Sequence, residues 1–338
     1  MTGMLTVGVI FGGQSGEHEV SIASAQSVVE ALAQRYRVVP FYISKRGQWA
    51  GTRDAQQVLT QGKVYEPENG GFMAVYSDLL AVDVVFPVLH GPYGEDGRVQ
   101  GLLEMLHKKY VGNGVLASAV GMDKIMMKAV FGQAGLPQVK YLTLLAEQWQ
   151  REAIPWCEQI ELELGYPCFV KPANLGSSVG ISKVRDRQQL QLAVNHALEY
   201  DRRVIVEQGV RAREIECGVL GNEQLSTSCV GEVTYTSDFY DYETKYTAGK
   251  AKYIIPAVIP PEVAQAVQTM SIKAFQAIGG RGLGRVDFFY IEESATILVN
   301  EINTMPGFTK MSGYPKFWQA SGLEFVDLCD RLVQLAFA

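Results

Sequence analysis

Several common signals are absent from the sequence. No apolar run approaches the roughly 20 residues that a membrane-spanning helix needs, so we expect no membrane partner. No long run of Lys and Arg occurs, and the formal net charge is −6, which disfavours broad nucleic-acid binding. The first residues, MTGMLTVGVIFGG, lack the basic start and the length of a secretory signal peptide. We therefore expect a cytoplasmic protein.

Signals for disulfides, zinc and common nucleotide folds are also missing. The five cysteines are scattered and odd in number, and none forms a C-x-x-C pair, which indicates a reduced compartment without a disulfide framework. The histidines form no H-x-x-x-H pair, so a histidine zinc site is unsupported. The Walker A and G-x-G-x-x-G sequences are absent, which argues against a P-loop kinase and an NAD dehydrogenase.

Apolar runs alternate with helical patterns through the first part of the chain. LTVGVIF, RVVPFYIS and VDVVFPVLHG are typical of buried strands, and SIASAQSVVEALAQ and VQGLLEMLHKK are typical of helices. This alternation predicts an α/β region with a parallel sheet covered on both faces. Ligands of such sheets bind at the carboxyl ends of the strands, where GGQSGEHEVS and HGPYGEDG are expected to lie.

The stretch GRVDFFYIEESATILVNEIN predicts a β-hairpin, because two β-rich runs are separated by EESA. In that hairpin Asp287 lies opposite Glu301, and Asn303 shares a face with Glu301 because side chains alternate along a strand. Paired carboxylates repel each other unless a cation lies between them. Such hard oxygen ligands suit Mg²⁺ bridging the phosphates of a nucleotide. The alternative is an ordinary half-solvated sheet face.

The stretch FVKPANLGSSVGISKV predicts a strand, a Gly/Ser loop and a second strand. Small residues let backbone N–H groups approach an anion, and Lys171 at the end of the first strand favours phosphate binding over a plain flexible turn. Lys124, in the predicted helix MDKIMMKAVFGQAG, is a second candidate, although a solvated helix charge is the alternative.

Two further candidates follow the strands of the first region. Glu17 lies in the strand–loop–helix turn GGQSGEHEVS, where a helix N-terminus favours an anion and the carboxylate could bind an amine. The alternative is helix capping by Ser15 and Glu17. His90 ends a predicted strand, and a single histidine there can be structural or functional.

In this order, seven stretches resemble the D-alanine–D-alanine ligase family of the ATP-grasp superfamily. They are LHGPYGEDGRVQGLLE, GMDK, VKPANLGSSVGISKV, EIECGVLGN, DFYDYETKY, GRVDF and NEINTMPGFT, and the similarity begins at GVIFGGQSGEHEVS. The resemblance implies an α/β protein, α+β in its ATP-binding part, with three domains and ATP between two sheets. The implied domains are an N-terminal domain binding the first substrate (residues 1–112), a central ATP-grasp subdomain (113–207) and a C-terminal subdomain with the metal site (208–338).

The resemblance also implies a reaction, its reactants and its site residues. ATP would phosphorylate one D-alanine, and the amine of a second D-alanine would displace phosphate, giving D-alanyl-D-alanine for peptidoglycan synthesis. Two Mg²⁺, or Mn²⁺, would be held by Asp287, Glu301 and Asn303. The residues implied to meet ATP are Lys124, Lys171, Ser178, Glu207, Glu214 and Lys245. The residues implied in catalysis are Glu17, Ser177, Tyr246, Arg285 and Gly307, and those implied in substrate binding are His90 and Ser312. A homodimer is typical of the family.

Two features bear on the second substrate. The segment SDFYDYETKYTAGK resembles the ω-loop of the family, which closes over the reactants and excludes water. Tyr246 in this segment favours an amine as second substrate, since relatives that favour D-lactate tend to lack it. Gly313 stands where the family usually has a larger apolar residue, which predicts a looser second-substrate pocket. The alternatives are a related ligase making D-Ala-D-lactate or D-Ala-D-Ser, and a non-catalytic nucleotide-binding protein.

Overall fold

The computed structural model describes residues 3–62, 64–67, 70–176, 178–235 and 251–338, and these residues form three β-sheets. The first sheet has the order β3-β2-β1-β4-β5, in which β1, β2, β4 and β5 are parallel and β3 is an antiparallel edge. Its strands are β1 (Thr6–Gly12), β2 (Arg37–Ile43), β3 (Trp49–Ala50), β4 (Val84–Val88) and β5 (Lys109–Tyr110). The predicted parallel sheet is confirmed.

Four helices accompany the first sheet: α1 (His18–Leu32), α2 (Thr52–Gln61), α3 (Phe72–Ala81) and α4 (Arg98–Met105). Every residue of β4 is buried, and so is every residue of β1 except its first, because the sheet is covered on both faces. This covering explains why the sequence of these strands is continuously apolar rather than alternating. The loops after β1 and β4 carry GGQSGEHEVS and HGPYGEDG, as expected.

The second sheet is antiparallel and has the order β6-β9-β7-β8. It comprises β6 (Tyr141–Leu145), β7 (Cys168–Pro172), β8 (Ser182–Val184) and β9 (Arg203–Gln208). Two helices cover it, α7 (Ala146–Glu163) and α8 (Arg187–Leu198), whereas α5 (Val115–Met122) and α6 (Lys124–Gln133) precede it. Asp123 caps α6, since its Oδ1 accepts hydrogen bonds from the N–H groups of Ile125 and Met126. That cap fixes where Lys124 begins the helix.

The third sheet is antiparallel, in the order β12-β11-β10-β13-β14. It comprises β10 (Arg213–Gly221), β11 (Ser226–Tyr235), β12 (Ala251–Ile254), β13 (Gly282–Ile291) and β14 (Thr296–Asn303). The helices are α9 (Pro261–Ala277), α10 (Gly313–Ala320) and α11 (Phe325–Leu335). Alternation along β10 sends Cys217 into the core with α9, and it leaves Gly218 against Tyr314 and Trp318 of α10. The sheet therefore carries helices on opposite faces.

The ω-loop predicted from residues 237–250 lies outside the described residues, as do Ser177, Lys245 and Tyr246. In the part of the chain that the structure describes, no helix combines the length and apolar character needed to span a membrane. The domain limits stay predictions; the limit after residue 207 falls one residue before the end of β9.

Asn113 joins the first and third sheets at a point where their backbones approach closely. Its Nδ2 donates to the carbonyls of Leu283 at 2.6 Å and Thr304 at 2.9 Å, and its Oδ1 accepts from the Arg281 N–H at 3.0 Å. A Cβ atom placed on Gly282, whose φ is 76°, would lie 3.0 Å from the Cα of Gly112. Only glycine permits this approach.

We expect Asn113→Ala to lower the free energy of unfolding by about 2–4 kcal/mol, because two buried backbone carbonyls and one partly buried N–H group lose a partner. Urea unfolding followed by circular dichroism measures the loss. Gln57→Ala, at an exposed position of α2, is the control and should change stability by less than about 0.5 kcal/mol. An equal effect of the two substitutions would contradict the role of Asn113.

Candidate active site

A cavity of about 830 Å³ is lined by residues that lie around all three sheets. The residues predicted from the sequence that line it are Glu17, His90, Lys124, Ser178, Arg285, Glu301, Asn303, Gly307 and Ser312. Four others lie outside this lining: Lys171, Glu207, Glu214 and Asp287. Residues far apart in sequence thus meet in one space large enough for a nucleotide and small substrates.

The predicted acidic hairpin has the expected register. Asp287 pairs with Glu301, and Arg285 pairs with Asn303, across β13 and β14. Arg285 donates from Nε and Nη2 to the two carboxylate oxygens of Asp287, each at 2.6 Å, and Asn303 Nδ2 donates to Oδ2 at 3.0 Å. On the neighbouring strand, Glu216 lies 3.3 Å from Arg285 Nε. The cation between the carboxylates of Asp287 and Glu216 in this structure is the guanidinium of Arg285.

Burial and charge act on Arg285 in opposite directions. Burial alone would lower its pKa, but the negative charges of Asp287 and Glu216 outweigh burial and hold the pKa above its usual value. Arg285 is therefore permanently charged at the cavity wall. No group of three or more His, Cys, Asp or Glu side chains that could hold a metal occurs among the residues described. The predicted metal set contains two carboxylates and one amide, which is an oxygen donor set suited to Mg²⁺.

Glu207 lies between two lysines at the side of the second sheet. Its carboxylate is 2.6 Å from Nζ of Lys171 on β7 and 3.2 Å from Nζ of Lys128 on α6. Burial would raise the pKa of Glu207, but Lys128 and Lys171 prevail and lower it to about 2. The side chain of Lys128 is 0% exposed and that of Lys171 is 10% exposed. Of the two lysines, only Lys171 is partly exposed.

The Gly/Ser loop follows β7 and is held by Lys124. The Lys124 backbone N–H donates to the Ala173 carbonyl at 2.9 Å, and its Nζ donates to the Leu175 carbonyl at 2.6 Å. Ser178 has a φ of 59°, in the left-handed region that non-glycine residues rarely adopt. Lys124 thus lies at the cavity beside the loop rather than in solvent.

Glu17 lies where three loops converge. A Cβ atom placed on Gly91 or Gly176 would lie 2.8 or 2.9 Å from its Oε2, so the carboxylate packs closely against both glycines. Glu17 is the N-cap of α1 but makes no side-chain capping hydrogen bond there. Its own N–H donates to Ser15 Oγ, which in turn donates to the His90 carbonyl. Simple helix capping therefore does not explain the carboxylate of Glu17.

Both ring nitrogens of His90 have protein partners. Nδ1 is 3.1 Å from the Met305 carbonyl, which can only accept, so Nδ1 carries the proton and Nε2 accepts from Ser24 Oγ at 3.0 Å. Burial lowers the pKa of His90, in agreement with a neutral ring. Ser24 Oγ also accepts from the Phe308 N–H at 3.3 Å. His90 and Ser24 thereby fix the backbone on both sides of Gly307.

Gly307 and Ser312 both line the cavity and lie close to each other. A Cβ atom placed on Gly307 would lie 3.1 Å from Ser312 Oγ. That hydroxyl accepts from the Thr309 N–H and shares a 2.8 Å hydrogen bond with the Thr309 hydroxyl.

Glu214, on β10, accepts from the Tyr235 hydroxyl at 2.6 Å.

Comparisons with known proteins agree with this geometry. Family models described as the D-ala D-ala ligase N-terminus and C-terminus match residues 6–113 and 130–334. The chain belongs to the D-alanine–D-alanine ligase family. A D-alanine--D-alanine ligase of Synechococcus sp. (strain RCC307) is 49% identical over 98% of this chain and 97% of that protein. The resemblance drawn from the sequence is confirmed.

Two solved structures share the fold. The VanG D-Ala:D-Ser ligase from Enterococcus faecalis has a TM-score of 0.84 and 33% identity, covering 99% of this chain and 100% of that one. The D-alanine-D-alanine ligase from Coxiella burnetii has a TM-score of 0.80 and 33% identity, covering 98% of this chain and 94% of that one. The expected ATP-grasp fold class is confirmed.

Sequence reasoning missed three residues of this D-alanine–D-alanine ligase family member. Glu95 accepts hydrogen bonds from the N–H groups of Gly91 at 2.8 Å and Met305 at 3.2 Å. Burial, then the charges of Glu17 and Glu301, raise its pKa to about 8. Lys128 and Tyr253 are the other two. Only Glu95 had a signal, since it lies in the quoted stretch HGPYGEDG.

We expect Glu207→Gln to be less stable than the wild type at pH 6, because two buried lysines lose their counter-charge. The stability contributed by ionised Glu207 is present above its ordinary pKa of 4.5 and is lost as the pH falls toward the folded-state pKa of about 2. The difference in free energy of unfolding between the wild type and Glu207→Gln should therefore decrease by about 1 kcal/mol between pH 6 and pH 3.5.

Urea unfolding at the two pH values measures this change. Glu147→Gln removes an exposed carboxylate that is paired with Arg202, and it should show almost no gap at either pH. A gap for Glu207→Gln that stays constant with pH would mean that the lysines do not lower the pKa of Glu207.

Proposed function

We propose that this chain joins two D-alanines to D-alanyl-D-alanine, using ATP and passing through an acyl phosphate. The observation that carries the proposal is the single cavity in which Lys124, the Gly/Ser loop, Arg285 and Glu301 converge. The 49% identity to a D-alanine--D-alanine ligase over nearly the full length supports it. The product would serve the synthesis of peptidoglycan precursors.

The phosphates of ATP would lie between Lys124 and the Gly/Ser loop. Phosphoryl transfer depends mainly on positioning and charge neutralisation, and the lysines supply both. Lys171 can turn from Glu207 toward a phosphate without leaving the buried carboxylate of Glu207 unpaired, because Lys128 remains 3.2 Å from Glu207. Removing the only partner of a buried charge would be strongly unfavourable.

The oxygens of Asp287, Glu301 and Asn303 would hold magnesium, which neutralises the phosphates when bound. The pairing of Asp287 with Glu301, two residues before Asn303, supports one site formed by these oxygens. The amide nitrogen of Asn303 donates to Asp287, so its oxygen is the atom available to a cation.

The substrate half of the cavity contains complementary charges for an amino acid. Glu17 would bind the ammonium group of the first D-alanine, and Arg285 would bind its carboxylate, which accepts the phosphoryl group. When the amine of the second D-alanine attacks, negative charge develops on the carbonyl oxygen. Arg285 and the Gly307 N–H would stabilise that charge, and one such donor is typically worth about 10²–10³ in rate.

D-Alanine is favoured over D-serine as the second substrate. Identity is 49% to the D-alanine--D-alanine ligase from Synechococcus and 33% to the D-Ala:D-Ser ligase from Enterococcus faecalis. A cytoplasmic homodimer remains the expected state of the enzyme, and light scattering of the purified protein would measure its mass.

We expect the purified protein to release ADP and phosphate only when ATP, Mg²⁺ and D-alanine are all present. Coupled detection of ADP with mass spectrometry of the dipeptide tests this. D-Serine and D-lactate, each offered in competition with D-alanine, should be minor second substrates. If ADP formation does not depend on D-alanine, the proposed reaction is wrong.

We expect Glu301→Gln to lower kcat by at least about 100-fold without loss of folding, since one charged ligand for the cation is removed. Glu293→Gln, in the exposed connection of the same hairpin, is the control and should keep wild-type kcat. Both variants are to be compared by ADP release and by thermal unfolding. A near-normal rate in Glu301→Gln would show that the metal site lies elsewhere.

A further inference from the structure

Gly313 has a steric reason to be glycine. It is the first residue of α10, and its backbone φ is not in the left-handed region. A Cβ atom placed on it would lie 2.9 Å from Cε1, Cζ and Oη of Tyr253, which real Cβ contacts essentially never show. The aromatic ring of Tyr253 therefore occupies the space into which any side chain at position 313 would project.

Tyr253 is held in place by its strand and by a second aromatic ring. It pairs with Val233 in the register between β11 and β12. Its ring meets that of Phe317 edge-to-face, with centroids 5.7 Å apart and planes at 81°. Phe317 is fully buried and packs so closely on β11 that a Cβ atom at Gly231 would lie 2.1 Å from its ring. The tyrosine ring is thus supported from behind by a rigid contact.

Tyr253 also borders the cavity. It lines the cavity together with Arg285, Ser312 and Gly313. Ser312 immediately precedes Gly313, and Arg285 is the group that would stabilise the developing charge. The half-buried ring of Tyr253 narrows the part of the cavity lined by Arg285 and Ser312. The space beside Gly313 is consequently occupied by the ring and is not open.

We propose that Tyr253 and Gly313 together set the size limit for the side chain of the second amino acid. This inference rests on the proposed ligase function and concerns the wall of the same cavity. The ring at position 253 replaces a side chain at position 313, so shortening it leaves a gap beside Ser312 that nothing else fills. A larger side chain, such as the ethyl group of D-2-aminobutyrate, is then accepted.

The test is a competition between D-alanine and D-2-aminobutyrate, with tandem mass spectrometry reporting which amino acid is in the second position of each dipeptide. Tyr253→Ala should shift the product ratio at least about 10-fold toward D-2-aminobutyrate in that position, since one methylene group is typically worth about 10–200-fold in discrimination. The KM for D-alanine should rise at the second site and not at the first.

Three further variants separate size from other roles of the ring. Tyr253→Phe keeps the ring and should keep the wild-type product ratio. The double variant Tyr253→Ala with Gly313→Leu refills the gap from the other side and should restore discrimination at least in part. Tyr253→Leu, a smaller change, replaces Tyr253→Ala if that variant fails to fold, and it should shift the ratio in the same direction.

The outcomes distinguish this inference from the proposed function. If the wild type forms ADP with D-alanine but the product ratio is unchanged in Tyr253→Ala and Tyr253→Leu, the size limit does not lie at this ring. If Tyr253→Phe alone produces the full shift, the hydroxyl and not the size of the ring decides, and the inference is equally overturned. Absence of D-alanine-dependent turnover in the wild type would instead refute the ligase function.

Discussion

The ionic contact between Arg285 and Asp287 is the interaction on which the substrate half of the site depends. The guanidinium is bound by both oxygens of Asp287 and is 3.3 Å from Glu216, and Glu301 pairs with Asp287 across the hairpin. One positive charge therefore faces three carboxylates on a partly buried surface. Such an excess of negative charge is unfavourable unless cations join it. Under the proposed function, a divalent cation and the ammonium group of the substrate would be those cations.

The nucleotide half has the opposite balance. Two lysines, Lys128 and Lys171, share the single carboxylate of Glu207, and Lys124 lies beside the Gly/Ser loop. The cluster beside this part of the cavity has more lysines than carboxylates, which supports the proposed position of the ATP phosphates. The two clusters come from different sheets but face each other, because the charges of Glu301 and Glu214 on the third sheet also act on Lys171 and raise its pKa. Under the proposed function, a nucleotide with its metal would complement both clusters at once.

The sequence predicted the parts of the site that depend on local geometry. The pairing of Asp287 with Glu301 followed from strand alternation and a short connection, because the side-chain period of a strand is fixed. Lys128 gave no such signal, since a lysine one turn after Lys124 is indistinguishable from a solvated helix charge until β9 is known to cover it. Tyr253 was equally invisible, because its contact with Gly313 joins positions 60 residues apart. The positions of Lys128 and Tyr253 both depend on packing between parts of the chain that are distant in sequence.

Position 313 shows a different limit of the sequence, which reveals that a side chain is absent but not which neighbouring group occupies its space. Glycine at position 313 would enlarge the pocket only if the neighbouring atoms occupied the same positions as in relatives that have a larger residue there. In a close-packed interior, an absent side chain is ordinarily compensated by another group, since an unfilled gap loses dispersion contacts. Tyr253 is that group here, and Phe317 prevents it from moving back. The shape of the proposed second-substrate pocket therefore depends on β12 and α10 together. The effect of a substitution at Tyr253 or Gly313 is expected to depend on the residue at the other position.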